Sequence, residues 1–226
     1  MGKARGLGIA AVVVGLVGLL SVLGGIGYGR YAFGGTVVSS ESMTPTYGPG
    51  DRIVYERIDA GEVRRGDVVV FSDPERYGSE GLVMERVVGV AGDRVVCCTG
   101  EGSGSRLSLN GKPLREPYVQ DGDAHGGYPD SYDVRVPEGR LFVLGDHRAN
   151  ARDSRAFPED HGGTLPASAV RGRVLDDHTV PTALGAAMMI GVVLVLVAAG
   201  LGIAALVVRR KARAAVPPPP PWALQG

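Results

Sequence analysis

Two long uncharged apolar segments constrain the fold of this chain more than any other feature. Residues 6–29 contain no charged side chain and are rich in Val, Leu, Ala and Gly, and residues 183–208 form a second run of this kind. A helix of about 20 mainly apolar residues crosses the hydrocarbon layer of a bilayer. A cleaved secretory signal has a short apolar region with a small-residue cleavage site close behind it, but here Tyr28 stands near the end of the first run and Arg30 and Tyr31 follow it. The sequence therefore predicts two transmembrane helices, the first an uncleaved anchor.

The charges predict the orientation of these helices. All 24 acidic residues and 18 of the 24 basic ones lie between positions 30 and 178, which gives this segment a net charge of −6. Positively charged flanks of membrane spans stay in the cytoplasm. The basic residues on the outer sides of the two runs are Lys3, Arg5, Arg209, Arg210, Lys211 and Arg213. We therefore expect both termini in the cytoplasm and the acidic middle segment outside it.

We therefore predict a plasma-membrane protein with five segments. Residues 1–5 form a cytoplasmic N-terminus, 6–29 a transmembrane helix, 30–178 an extracytoplasmic domain, 183–208 a second transmembrane helix and 209–226 a cytoplasmic tail. The tail contains five consecutive prolines at 217–221, which favour an extended solvated segment, with a ligand for a proline-recognition module as the alternative. Membrane lipid is an expected partner and nucleic acid is not.

The middle segment has the pattern of a mainly β domain. Short apolar or alternating runs at 52–58, 68–71, 82–90, 94–98, 132–136 and 140–144 are separated by Gly, Asp and Pro. Asn110-Gly111 between two such stretches is typical of a tight β-hairpin turn. We expect an antiparallel β domain between the two membrane helices.

The cysteines and histidines predict no metal site and no cofactor. Cys97 and Cys98 are adjacent, and on a regular strand their side chains point to opposite faces. We expect them to be ordinary strand residues, although an oxidising compartment would permit a vicinal disulfide. The four histidines are scattered at spacings that do not suit a metal site.

Five short motifs in order give a specific resemblance. Residues 39–46 read SSESMTPT, 65–71 RGDVVVF, 85–93 ERVVGVAGD, 110–112 NGK with 116–118 EPY, and 145–155 GDHRANARDSR. The first string is similar to the Ser-Xaa-Ser-Met-Xaa-Pro-Thr box of the type I signal peptidases, and the others resemble that family's later boxes. The resemblance covers roughly residues 40–155. It implies a membrane-bound serine endopeptidase that removes signal peptides from exported pre-proteins outside the cytoplasm.

The resemblance also implies roles for individual residues. Ser42 is the expected nucleophile, Ser40 and the backbone N–H of Ser42 the expected donors to the oxyanion, and Met43 the side chain packed beneath the site. The expected substrate lies extended beside strands near 37–40 and 82–85, with small side chains at its −1 and −3 positions. The residues expected to support the site are Arg86, Asp146, Arg148, Asp153, Ser154 and Arg155.

The general base departs from the family pattern. The family has a lysine where this chain has Glu85, and the serine that steadies that lysine aligns with Ala151. Glu85 shares a strand face with Val83 and Val87, an apolar setting that raises a carboxyl pKa toward the useful range. The alternatives are a pseudo-active-site glutamate paired with an arginine, and His147 as a replacement base.

The function therefore has two open alternatives. The first is a signal peptidase with Glu85 at the base position. The second is a catalytically impaired homologue that binds signal peptides or assists an active paralogue. A purely structural envelope protein fits the retained Ser42 box poorly.

Overall fold

The structure is a computed structural model that describes residues 2–78, 80–100, 104–127 and 131–214, so the proline-rich tail lies outside the described part. The chain forms two compact units. One combines Met1–Tyr31 with Asp177–Gly226, and the other is Ala32–Asp176. The helices are α1 (Gly2–Ala32), the short α2 (Pro74–Tyr77) and α3 (Thr179–Ala214).

Helices α1 and α3 form the first unit, and both are long and apolar enough to cross a membrane. They approach each other closely at Gly18 and Gly191. A Cβ added at Gly18 would lie only 2.6 Å from the carbonyl oxygen of Gly191 and 2.9 Å from Cβ of Leu194. Glycine is needed there because any side chain would force the two helix backbones apart.

In the described part of the second unit, eleven strands form two antiparallel sheets. Their bounds are β1 (Phe33–Val37), β2 (Arg52–Glu56), β3 (Val68–Phe71), β4 (Val83–Gly89), β5 (Arg94–Thr99), β6 (Arg106–Leu109), β7 (Lys112–Pro113), β8 (Tyr132–Arg135), β9 (Arg140–Leu144), β10 (Leu165–Pro166) and β11 (Val170–Val174). The larger sheet has the order β1-β2-β11-β3-β4-β9-β10, and the smaller has the order β7-β6-β5-β8. The prediction of a mainly antiparallel β fold with two terminal apolar helices is confirmed.

Three buried apolar clusters formed by described residues stabilise this unit. One lies around Val69, Phe71 and Leu165 in the larger sheet, and a second around Val95, Leu107 and Phe142 joins the two sheets. The third contains Val38, Met43, Ile53, Tyr55, Val68, Val70 and Val174. Burying each large apolar side chain contributes about 1.5–3 kcal/mol, so these clusters fix the loops that leave the sheet.

The expectation for the two cysteines is wrong, because Cys97 and Cys98 form a disulfide with each other. The prediction assumed regular alternation of side chains along β5. The pairing of β5 with β6 shifts register between Val96 and Thr99, so the regular pleat is interrupted where the cysteines lie. Their Cα atoms are 3.1 Å apart.

Candidate active site

The loop after β1 holds Ser42 in a fixed turn. The N–H of Val38 donates to the carbonyl of Asp51 at 2.9 Å, and the N–H of Gly50 donates to the carbonyl of Val38 at 2.8 Å, so the two ends of the loop are tied together. Within it, Tyr47 N–H donates to the carbonyl of Met43 at 2.9 Å. Met43 is fully buried in the third cluster and anchors the residue beside Ser42.

The two serines predicted to act together are neighbours. Ser42 Oγ lies 3.1 Å from Ser40 Oγ, within hydrogen-bond distance. On its backbone side, the carbonyl of Ser42 accepts a hydrogen bond of 2.9 Å from the N–H of His147. The loop after β9 thus fixes the serine loop through its main chain.

Glu85 lies in the middle of β4, where it pairs with Val69 of β3. Only 1% of the residue is exposed, and its Oε2 has no hydrogen-bond partner within the described residues. A Cβ added at Gly145 would lie 2.6 Å from the carbonyl oxygen of Ser42, 3.0 Å from Glu85 Oε2 and 2.3 Å from Cβ of Ala151. Gly145 is therefore the point where the serine loop, β4 and the loop after β9 meet, and a side chain there would displace all three.

Ser40, Ser42 and Glu85 also line one cleft of about 300 Å³. The end of β1 forms one wall with Val37 and Val38, and the start of β4 forms another with Leu82 and Val83. The cleft is open to solvent, and its walls are mostly apolar. Its size and lining suit a short extended peptide.

The electrostatics of the cleft depend on Glu85. Burial raises the pKa of this carboxyl well above its ordinary value, and the nearby charges of Asp153 and Asp146 raise it further, while Arg155 and Arg148 lower it in part. A buried carboxyl with an unpartnered oxygen favours its neutral form. Glu85 therefore holds a proton over a wider pH range than an exposed glutamate.

Asp146 links the serine loop to β4. Its carboxylate accepts hydrogen bonds from Arg86 Nε and Nη2 at 2.8 and 2.7 Å, and from the hydroxyl of Thr46. Arg86 also donates to the carbonyl of Gly66 at 2.9 Å and stacks over the ring of Tyr118. Arg86 is thus paired with Asp146 on the face of β4 opposite Glu85.

Asp153 and the two buried arginines form a second charged network. Asp153 accepts from the N–H of Gly145 at 3.1 Å and from Arg155 Nε at 2.8 Å. Arg148, 1% exposed, donates to the carbonyl of Gly145 at 2.9 Å and pairs with Glu116. Ser154 Oγ accepts from the N–H of Val143 at 3.0 Å. The last box is therefore a scaffold that fixes Gly145 from both its N–H and its carbonyl.

His147 is hydrogen-bonded to the serine loop. Its Nδ1 lies 3.0 Å from Thr44 Oγ1 and 3.2 Å from the carbonyl oxygen of Glu41. This ring nitrogen is engaged by the turn that carries Ser42, which is the arrangement of a structural histidine.

The match to known proteins decides the family. The family model "Signal peptidase, peptidase S26" matches residues 9–175. The chain belongs to this signal peptidase family. The segment matched includes both the serine loop and the last box.

Individual members of the signal peptidase family show the same relationship. A signal peptidase I from Leptolyngbya laminosa is 31% identical over 163 residues, which cover 69% of this chain and 73% of the relative. A signal peptidase I from Bacillus caldolyticus is 33% identical over 141 residues, which cover 56% of this chain and 71% of the relative. A crystal structure of a signal peptidase I from Enterococcus faecalis matches with 27% identity and a TM-score of 0.38, over 50% of this chain and 97% of that one.

Two residues that sequence reasoning did not select also line the cleft of this signal peptidase relative. Tyr77, in α2, and Arg152, in the last box, lie on the same cavity as Ser42 and Glu85. No sequence motif points to Tyr77, which belongs to a four-residue helix outside every motif. Arg152 stands at a position of the last box where the family pattern specifies no residue type.

Proposed function

We propose that this chain is a membrane-bound serine endopeptidase of the signal peptidase I type, which cleaves signal peptides from exported pre-proteins outside the cytoplasm. The observation that carries the proposal is the meeting of Ser40, Ser42 and Glu85 on one peptide-sized cleft. Both termini lie in the cytoplasm, α1 and α3 cross the membrane, and the β domain lies on the outer side. The charge distribution along the chain supports this topology.

The reaction is an acyl transfer to Ser42. The Ser42 Oγ attacks the carbonyl carbon of the scissile peptide bond, and its proton passes to the ionised carboxylate of Glu85. The hydroxyl of Ser40 and the N–H of Ser42 donate to the oxyanion that forms. The C–N bond then breaks, the amine leaves with the proton from Glu85, and water hydrolyses the ester to release the signal peptide.

Glu85 makes this base weaker than a lysine in the same place. An ordinary glutamate has a pKa of about 4.3, some three units below a lysine tuned to about 7 to 8. Burial raises the pKa of Glu85 and so makes its carboxylate a stronger base, but the base works only in the ionised fraction. A protonated lysine about 5 Å from the oxyanion would also attract it by about 3 kcal/mol at an effective dielectric near 20, whereas a protonated glutamate is neutral.

The raised pKa of Glu85 supports a second candidate function. A neutral carboxyl cannot accept the Ser42 proton, while the cleft and its scaffold remain intact. The chain would then be a catalytically impaired homologue that binds signal peptides or assists an active paralogue. The same cleft and the same peptide ligands serve both candidates, so only cleavage separates them.

The test is incubation of the purified full-length protein in detergent with a labelled pre-protein. The expected result is slow cleavage at the signal peptide, lost in Ser42→Ala and kept in Ser168→Ala, an exposed serine outside the cleft. Binding of the signal peptide without cleavage would select the impaired homologue. Cleavage that survives Ser42→Ala would come from another protein and would remove the enzyme proposal.

A further inference from the structure

Arg152, which lines the cleft, differs from the other two arginines of residues 145–155 in its exposure and its partners. It is exposed, whereas the other two arginines of the last box, Arg148 and Arg155, are buried and paired with carboxylates. Within the described part of the chain, Arg152 has no carboxylate at ion-pair distance. It lines the same cleft as Ser42 and Glu85. The guanidinium of Arg152 is therefore available to bind a ligand in that cleft.

Aromatic rings hold the Arg152 side chain in place. Its Cζ lies 5.1 Å from the ring centre of Phe157 and 5.9 Å from that of Tyr77. The hydroxyl of Tyr77 donates to the Arg152 carbonyl at 2.8 Å, and the Tyr77 ring packs edge-on against Phe157 and Phe71. The backbone and the guanidinium of Arg152 are thus both positioned by the aromatic pair.

Stacking of this kind leaves the donors of the guanidinium free. The N–H groups of arginine lie in the plane of the group, and an aromatic ring engages only its face. Two of these N–H groups can bind both oxygens of one carboxylate at once. Because the ring contacts restrict the side chain beforehand, little further conformational entropy is lost when a carboxylate binds.

The charge of the cleft favours an acidic ligand group. Among the described residues that line it, only Glu85 and Arg152 have a side chain of the Asp, Glu, Lys or Arg type. The pKa of Glu85 is raised by burial, so this carboxyl carries less negative charge than an exposed glutamate does at the same pH. The positive charge that lines the cleft is that of the exposed Arg152.

We propose that Arg152 determines specificity by binding the carboxylate of an aspartate or glutamate side chain in the peptide that occupies the cleft. This rests on the proposed function, which supplies the peptide. Arg152 does not touch the reacting atoms and selects substrates by charge. A signal peptide with an acidic residue at the matching position binds better than one with the corresponding amide.

The test measures binding of labelled peptides to the full-length Ser42→Ala protein in detergent. The peptides share one small-residue cleavage sequence, and a single Glu is moved along it, each compared with Gln at the same position. One position should show about two- to fivefold tighter binding for Glu, the range of an exposed ion pair, and the difference should shrink at high salt.

Variants at residue 152 then test whether the preference for Glu over Gln depends on Arg152. Arg152→Gln should abolish the preference, Arg152→Lys should keep part of it, and Arg152→Glu should favour Lys at that peptide position. Arg135→Gln, an exposed arginine on β8 that does not line the cleft, is the matched control and should keep the preference. Thermal unfolding of each variant verifies that it is folded.

The outcomes separate this proposal from the proposed function. If peptides bind but no position distinguishes Glu from Gln, or if the preference survives Arg152→Gln, the role of Arg152 is wrong and the peptide-binding function stands. If no peptide binds to the Ser42→Ala protein and the wild type cleaves none of them, both are wrong.

Discussion

Glu85 Oε2 and the carbonyl oxygen of Ser42 face the same side of Gly145, 3.0 Å and 2.6 Å from the place where its Cβ would stand. The base position and the nucleophile loop therefore meet across a residue that has no side chain. Ala151 contacts the same point, since its Cβ would lie 2.3 Å from that Cβ. A change at position 85 or 151 thus acts directly next to Ser42.

The first prediction is that Glu85→Lys raises peptidase activity. Lysine returns a stronger base and, once protonated, a cation beside the oxyanion. We expect a gain of about one to two decades in rate from the difference in basicity. The rate of pre-protein cleavage in detergent measures it. Glu85→Lys combined with Ser42→Ala is the control and should be inactive.

A hydroxyl at position 151 should increase this gain. The Ala151 side chain lies beside the Gly145 position that also adjoins Glu85 Oε2, so a serine there is placed to hydrogen-bond a lysine at position 85. We expect the double variant Glu85→Lys with Ala151→Ser to be faster than Glu85→Lys alone. Equal rates for the two would show that position 151 does not orient the base.

The second prediction concerns the pH dependence of wild-type cleavage. Only the ionised carboxylate of Glu85 accepts the Ser42 proton, and burial raises the pKa of this group. The rate should therefore rise with pH through the folded-state pKa of Glu85 and then level off. Glu85→Gln should be inactive at every pH. A wild-type rate that falls as pH rises over this range would exclude Glu85 as the base.

The third prediction is that Glu85→Gln stabilises the protein increasingly as pH rises. The folded-state pKa of Glu85 is raised, so its contribution to stability is fully present below the pKa of the unfolded chain. That contribution is lost as pH rises through the folded-state pKa. Glutamine resembles the protonated glutamate and does not titrate, so the Tm of Glu85→Gln should exceed that of wild type by a margin that grows with pH and then becomes constant.

The control for this titration is a glutamate at the surface. Glu159 is exposed, and Glu159→Gln removes one carboxyl without opening a buried site. Both Glu85→Gln and Glu159→Gln change the net charge by one, so the Tm change of Glu159→Gln is subtracted from that of Glu85→Gln at each pH. A margin for Glu85→Gln that does not change between acidic and alkaline pH would contradict the burial of an ionisable Glu85.

The strands with a clear apolar pattern could be predicted from the sequence, and those without it could not. Strands β2, β3, β4, β5, β8 and β9 overlap the six predicted runs, and the turn at Asn110 and Gly111 joins β6 to β7 as expected. Strands β1 and β11 were missed because glycines weaken their local signal. The position of β11 between β2 and β3 depends on pairing between distant parts of the chain, which no local pattern encodes.

Only those residues of the candidate site that lie in a recognised motif position could be predicted from the sequence. Ser40, Ser42 and Glu85 were selected because motif resemblance specified their order, and they do line one cleft. Tyr77 and Arg152 enter that cleft through tertiary packing of α2 against the last box. The prediction that Cys97 and Cys98 are ordinary strand residues is wrong because the register of β5 against β6 shifts at these residues. No sequence pattern indicates that shift, so the regular alternation of side chains could not be known to end there.

The fourth prediction concerns membrane topology. Positively charged residues follow the second apolar run, so a reporter fused after Gly226 should report a cytoplasmic location. The same reporter fused after Asp177, with the second run removed, should report an extracytoplasmic location. An extracytoplasmic signal from the full-length fusion would overturn the two-span arrangement.

The fifth prediction is that Asp153→Asn costs far more stability than the same change at Asp133. Asp153 is fully buried and accepts four N–H groups, from Gly145 and from the backbone, Nε and Nη2 of Arg155. An amide at this position turns its NH2 group toward donors and removes the negative charge that Asp153 places beside the buried Arg155. Breaking one side of a buried ion pair costs about 3–5 kcal/mol.

Asp133→Asn is the matched control because its partner Arg94 is also an arginine but the pair is about half exposed. Solvent screens exposed pairs and leaves them little net effect on stability, so the Tm of this variant should stay near that of wild type. Asp153→Asn should also slow cleavage more than its Tm predicts, because Asp153 fixes the N–H of Gly145, the residue between Ser42 and Glu85. Equal losses of Tm in the two variants would show that the buried network does not hold the site.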